Sequence, residues 1–209
     1  MDTRKKIARY LLQSKAIKLE PTTPFTWASG WKSPIYCDNR KTLSYTGIRD
    51  FIRDSFVETI MDFYPDVEVI AGVATGAIAH GVLVADKLKL PFVYVRSEPK
   101  SHGLENLIEG VIESGQKVVV IEDLISTGGS SIKAVKALRE SACKVMGMVA
   151  IFSYGFPQAE KNFIDANCKV TSLSDYNSLI ELALETSYIT AGQAKILSEW
   201  RLDPENWMK

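Results

Sequence analysis

The sequence predicts an α/β fold: a mostly parallel central sheet flanked by helices. Two observations carry that prediction. Short runs rich in valine and isoleucine are apolar at successive positions, as in strands buried on both faces of a parallel sheet. Helical patterns then separate these runs one by one, the order that crossover connections between parallel strands require.

Thr3 to Ala16 opens the chain with Ile7, Tyr10, Leu11 and Leu12 at near-helical spacing. Glu20 to Arg40 is punctuated by Pro21, Pro24, Gly30 and Pro34 and reads as loop with short extended pieces. Its aromatics, Phe25, Trp27, Trp31 and Tyr36, fit the core of an irregular subdomain better than a ligand wall. Tyr45 to Tyr64 carries Ile48, Phe51, Ile52, Phe56, Val57 and Ile60 on one helical face. From there strand and helix alternate: Val67–Ala71 strand, Ala77–Leu88 helix, Phe92–Val95 strand, Lys117–Ile121 strand, Ser130–Ser141 helix, Val145–Phe152 strand, Lys169–Leu173 strand. Asp175 to Lys209 reads as helical again. It is expected to pack with the N-terminal segment as a small hood, 1–42 plus 175–209, over a core of 43–174 in a single domain spanning 1–209.

Composition narrows the function. The 209 residues are 46% hydrophobic, a size that buries roughly 70% of the unfolded surface without disulfides or metal. Lys plus Arg is 25 and Asp plus Glu is 25, so the basic excess of a nonspecific nucleic-acid binder is missing. Cys37, Cys143 and Cys168 form no CxxC element, which argues against a disulfide framework or structural zinc and for a reducing cytoplasm. No apolar run after Met1 suggests a signal peptide, and the Val69–Ala85 run is broken by three glycines and His80, so no membrane association is expected. His80, on the helix after Gly76, reads as a packing residue.

The most informative stretch runs from Lys117 to Ile132: a buried strand, the acids Glu122 and Asp123, the small-residue turn Ser126-Thr127-Gly128-Gly129-Ser130, then a helix. Glycines let backbone N–H groups approach an anion, hydroxyls add donors, and the helix presents unpaired N–H groups with its positive dipole end. It is neither GxxxxGK[ST] nor GxGxxG. Two acids would repel a bare phosphate, so they are expected to face a ribose diol beside it, or a magnesium ion bound to that diol. The plain alternative is a helix cap with solvated acids. A second segment, Arg96 to Gln116, is a long aperiodic loop containing Arg96, Lys100 and His102, the composition of a lid over an anion.

Val118 to Ser130 resembles the phosphoribosyl diphosphate (PRPP) motif of type I phosphoribosyltransferases. Phe25-Thr26-Trp27-Ala28-Ser29-Gly30-Trp31-Lys32-Ser33-Pro34 and Arg96-Ser97-Glu98-Pro99-Lys100-Ser101-His102-Gly103 are similar to the N-terminal signature and flexible loop of the orotate phosphoribosyltransferases. Gly72-Val73-Ala74-Thr75-Gly76 stands at the family's pyrophosphate loop. The resemblance implies the type I phosphoribosyltransferase fold. It implies magnesium-dependent transfer of phosphoribose from PRPP to orotate, giving orotidine 5-monophosphate in pyrimidine synthesis. Carried over by position, it gives catalytic roles to Lys100, His102 and Asp123. It sets PRPP against Arg96, Lys100, His102, Glu122, Asp123, Leu124, Ile125, Ser126, Thr127, Gly128, Gly129 and Ser130. It sets orotate against Thr127, Lys32, Tyr36 and Arg40, and implies no direct protein ligand to magnesium, which PRPP mainly holds. It also implies a homodimer whose lid reaches the neighbouring site.

The chain departs from the family pattern at four cationic positions. Ala28, Thr75-Gly76 and Ser97 stand where the pattern has lysines, and no arginine appears in Ser153-Tyr154-Gly155-Phe156. Arg40 or Lys32 is the expected substitute for the orotate carboxylate. Two rival readings share the motif. One is a phosphoribosyltransferase for another base, which the Phe25–Tyr36 segment disfavours. The other is a PRPP-sensing regulator without catalysis, which the cationic loop disfavours.

Overall fold

The computed structural model describes residues 2–27, 29–98 and 107–208. Helix α1 (Thr3–Gln13) is capped by the Asp2 carboxylate on the Lys5 N–H and leads into β1 (Ile17–Leu19), β2 (Phe25–Thr26), β3 (Lys32–Ser33) and β4 (Ile35–Cys37). Strand β1 pairs antiparallel with β4 and β2 with β3, two small ribbons beside the main sheet. A 3₁₀ turn (Asn39–Ser44) then joins α2 (Thr46–Phe63). The alternating part follows: β5 (Val69–Val73), α3 (Ile78–Leu88), β6 (Phe92–Val95), β7 (Ile108–Glu109), β8 (Lys117–Ile125), α4 (Gly129–Glu140), β9 (Lys144–Ser153), α5 (Pro157–Asp165), β10 (Val170–Asp175), α6 (Tyr176–Glu185) and α7 (Ala191–Leu202).

Six strands form the central sheet in the order β10-β9-β8-β5-β6-β7, parallel throughout except for the antiparallel edge strand β7. Side chains alternate across a strand, so β8 sends Val118 and Val120 to one core and Val119 and Ile121 to the other. The first core packs under α4 and α5. The second gathers α1, α2, α6 and α7, which brings both ends of the chain to one face.

Of the aromatics of the N-terminal loop, Trp27 packs against this second core, while Tyr36 is exposed. Trp27 stacks on Trp31 and meets the rings of Tyr154 and Trp200 at centroid distances of 5.3 and 5.6 Å. Its indole N–H donates to the Ile35 carbonyl, and that of Trp200 to the Lys32 carbonyl. The loop is held to α7 by packed rings whose polar edges are satisfied.

Three features depart from the sequence expectation. Strand β8 runs on to Ile125, so the two acids lie inside a strand rather than after it. Helix α5 was not foreseen, although Pro157 at its start and Glu160 in its first turn are helix-start signals. Strand β7 forms in the stretch read as aperiodic; two residues are too few to show an alternation.

His80 is 1% exposed, with Nε2 at 3.5 Å from the Thr42 hydroxyl, which matches the packing role. Burial lowers its pKa from 6.5 to about 4. Between those values the unfolded chain binds a proton that the folded chain refuses, so stability falls as pH drops through this window. His80→Gln is expected to narrow the gap between urea midpoints measured at pH 7 and pH 5. An unchanged gap would mean His80 is protonated in the folded protein.

Candidate active site

Strand β5 continues outward to β6 on one side, while β8 continues to β9 on the other. The sheet therefore reverses its winding between β5 and β8. A crevice opens at the carboxyl ends of adjacent strands where such a reversal occurs, and ligands bind there. A cavity of about 560 Å³ lies at this point. Its walls are Val73 to Gly76 after β5, Glu122 to Asp123 and Leu124 on β8, Ser126 to Ser131 with Lys133 on the turn and α4, and Cys37, Asp38 and Arg40 after β4.

The turn has the backbone geometry of an anion cradle. Gly128 sits in the left-handed region at φ 80°, a conformation that glycine adopts without strain. The first helical hydrogen bond of α4 runs from the Ile132 N–H to the Gly128 carbonyl. The N–H groups of Gly129, Ser130 and Ser131 therefore have no acceptor within the helix, at the positive end of its dipole.

The two acids part company because neighbouring residues on a strand face opposite ways. Glu122 turns to α4. It is 4% exposed, with one carboxylate oxygen 2.8 Å from the donating Ser131 hydroxyl and the other 3.0 Å from the Asp123 N–H. Burial, with the nearby Asp123 charge, pushes its pKa well above the usual carboxylate range. It braces the start of α4 while lining the cavity wall.

Asp123 turns the other way, to the cavity wall shared with Gly76. Burial raises its pKa too, while hydrogen bonds and Arg40 pull it down. Its own carbonyl accepts a 2.5 Å hydrogen bond from Asn39 Nδ2. Asn39 is fully buried, and its Oδ1 accepts from the Cys37 thiol at 3.3 Å. Asn39 ties the β4 segment to the acidic strand; it was not singled out in the sequence, because nothing local marks an asparagine whose partner is 84 residues away.

Other expected site residues divide. Leu124, Ser126, Thr127, Gly128, Gly129, Ser130 and Arg40 line the cavity. Ile125 does not; as a strand residue of the other parity from Leu124 it is buried in the core beneath α4. Arg40 Nε donates to Asp38 at 2.7 Å on the cavity rim. Lys32 Nζ donates instead to the Thr26 hydroxyl at 2.9 Å across the β2–β3 ribbon, and Tyr36 leans on Phe25, both outside the cavity wall. Arg96 lies 3.4 Å from Glu109 of β7. Ala28, Lys100 and His102 lie outside the described residues. Cys37 and Lys133 are wall residues that the sequence reading passed over; each is a lone side chain with no motif around it.

This cradle, at a winding reversal of a parallel sheet, agrees with the family model described as "Phosphoribosyl transferase domain", which matches residues 42–185. The orotate phosphoribosyltransferase of Porphyromonas gingivalis is 61% identical over 97% of both chains, and that of Bacteroides fragilis 58% identical over 96% of this chain and 94% of its own. The crystal structure of orotate phosphoribosyltransferase from Aeropyrum pernix superposes with a TM-score of 0.76 at 25% identity, covering 88% of this chain and 99% of that one. The class is thus the phosphoribosyltransferases. Within it, the chain belongs to the orotate phosphoribosyltransferase family.

Proposed function

We propose that this protein transfers the 5-phosphoribosyl group of PRPP to N1 of orotate, forming orotidine 5-monophosphate and releasing pyrophosphate. The observation that carries the reading is the cradle at residues 126–131 with Asp123 facing the same cavity. The free N–H groups of Gly129, Ser130 and Ser131 hold the 5-phosphate, joined by the turn hydroxyls. Asp123 takes the ribose hydroxyls as an acceptor. It also places negative charge near C1 as the C1–O bond lengthens and the sugar gains oxocarbenium character. The bond from orotate N1 to C1 forms as the electron pair of the C1–O bond leaves with pyrophosphate, and the N1 proton passes to the released pyrophosphate or to solvent. No covalent nucleophile is required; burial pushes the Cys37 thiol well above its ordinary pKa, which keeps this wall residue neutral.

Magnesium fits this donor set. Among the described residues no group of three or more His, Cys, Asp or Glu converges to hold an ion. Of the carboxylates on the cavity wall, Glu122 is bonded to Ser131 and Asp38 to Arg40, which leaves Asp123 to meet an ion carried mostly on substrate oxygens. When bound, magnesium offsets the charge of the diphosphate.

Arg40 is our choice for the orotate carboxylate, because it stands on the cavity rim while Lys32 is spent on Thr26. Arg40→Ala is expected to raise the orotate KM by about 10- to 100-fold, the weight of a hydrogen bond between charged groups, with Lys32→Ala near the parent. Equal values for Arg40→Ala and the parent would remove Arg40 from the base site.

The lid reading of Lys100 and His102, the homodimer that lets it cross to the neighbouring site, and the hood of 1–42 plus 175–209 over the core rest on the family resemblance. A cytoplasmic setting is supported by the free thiols of Cys37, Cys143 and Cys168. No helix among the described residues is long and apolar enough to cross a membrane. The deciding assay follows orotate absorbance with PRPP and magnesium, beside a panel of uracil and purine bases. Loss of orotate alone is expected. Turnover of another base instead, or PRPP binding with no turnover at all, would overturn the assignment.

A further inference from the structure

We propose that Asn162 is a positioning residue for the phosphate turn: from outside the cavity it holds the Thr127–Gly128 peptide with its N–H toward the anion. A turn that binds an anion through backbone N–H groups must point its carbonyls the other way. In a trans peptide the N–H and C=O are opposed, so fixing one fixes the other. The Thr127–Gly128 peptide is the vulnerable one. Gly128 at φ 80° tolerates either hand of the backbone, and rotation of that peptide would swing the Thr127 carbonyl into the cavity against the phosphate.

Asn162 Nδ2 donates to the Thr127 carbonyl at 2.8 Å. The amide is oriented by the Thr127 carbonyl, which only its NH2 can serve, and Gln158 Nε2 donates to its Oδ1, also at 2.8 Å. Both residues lie on α5, which supplies no residue to the cavity wall. The next residue, Phe163, closes the space behind the turn: its ring would lie 3.1 Å from a Cβ at Gly128. One short helix thus blocks the back of the turn and orients its central peptide. Asn162 touches no reacting atom; it acts through Gly128.

The inference rests on the reading that the 5-phosphate occupies this turn, so the test separates the two. Ribose 5-phosphate is titrated into the full-length parent, Asn162→Ala and Asn162→Leu while the Gly128 amide is followed by NMR, and KM is measured for PRPP and for orotate. Leucine fills the space of asparagine without its donor. Both variants are expected to weaken ribose 5-phosphate and raise the PRPP KM by about tenfold or more, as for a lost hydrogen bond to a charged group. The orotate KM and the melting temperature are expected to stay at parent values, with the Gly128 amide resonance shifted before ligand is added. If Asn162→Leu matches the parent in PRPP KM and in the Gly128 resonance, Asn162 only fills space and the inference fails. If ribose 5-phosphate leaves Gly128 to Ser130 unperturbed in the parent, the phosphate assignment itself fails.

Discussion

Gly76→Ala is expected to lower turnover by about 10²-fold, the loss typical of one misplaced electrostatic group, while the melting temperature moves little. The expectation comes from a close approach. A Cβ added at Gly76 would land inside the carboxyl group of Asp123. The Asp123 backbone is held in place, its carbonyl by Asn39 and its strand by β9. The carboxylate must therefore swing away from its place beside the β5 loop. Asp123→Asn keeps the shape but removes the charge, and is expected to cost a similar factor. Steady-state kinetics on both variants check the pair. Full turnover by Gly76→Ala would show that the position of this carboxylate is unimportant to the reaction. A large loss in Gly76→Ala with none in Asp123→Asn would assign the effect to the β5 loop backbone instead.

Lys100→Ala and His102→Ala are each expected to lower turnover by about 10²-fold or more, leaving ribose 5-phosphate affinity at the parent value. The leaving pyrophosphate gains charge as its bond to C1 breaks, so cations aimed at it favour the transition state over the bound substrate. In the proposed reading the 5-phosphate sits in the turn at the other end of the sugar, so its binding should not feel their loss. Mixed dimers of Lys100→Ala with Asp123→Asn chains are expected to regain activity, since one of the two sites would then combine an intact lid with an intact carboxylate. Mixed dimers no more active than their parents would mean that each site is made within one chain.

The parallel sheet, the glycine turn and the family were legible in the sequence because each is a local pattern. Val118 to Ile121 are apolar because the strand is covered on both faces, and Gly128 sits at φ 80°, a conformation glycine adopts without strain. The edge strand β7 was not legible, being only two residues long. The separate fates of Glu122 and Asp123 were hidden by a small misplacement. Reading the strand as ending at Ile121 left both acids in a loop, where no alternation constrains them. Extending it to Ile125 sends them to opposite faces.

What the chain of residues determined by itself was the chemistry on offer: a glycine-rich turn, two acids, scattered cations and a sheet to carry them. Which of these meet was decided only by the folded molecule. Asn39 reaches Asp123 across 84 residues and Asn162 reaches Thr127 across 35, while Lys32 is turned aside by Thr26. Periodicity records which side of an element is apolar, because burial acts on each residue where it stands. A hydrogen bond between distant segments leaves no such periodic trace, since its partner is supplied by topology rather than by sequence neighbours.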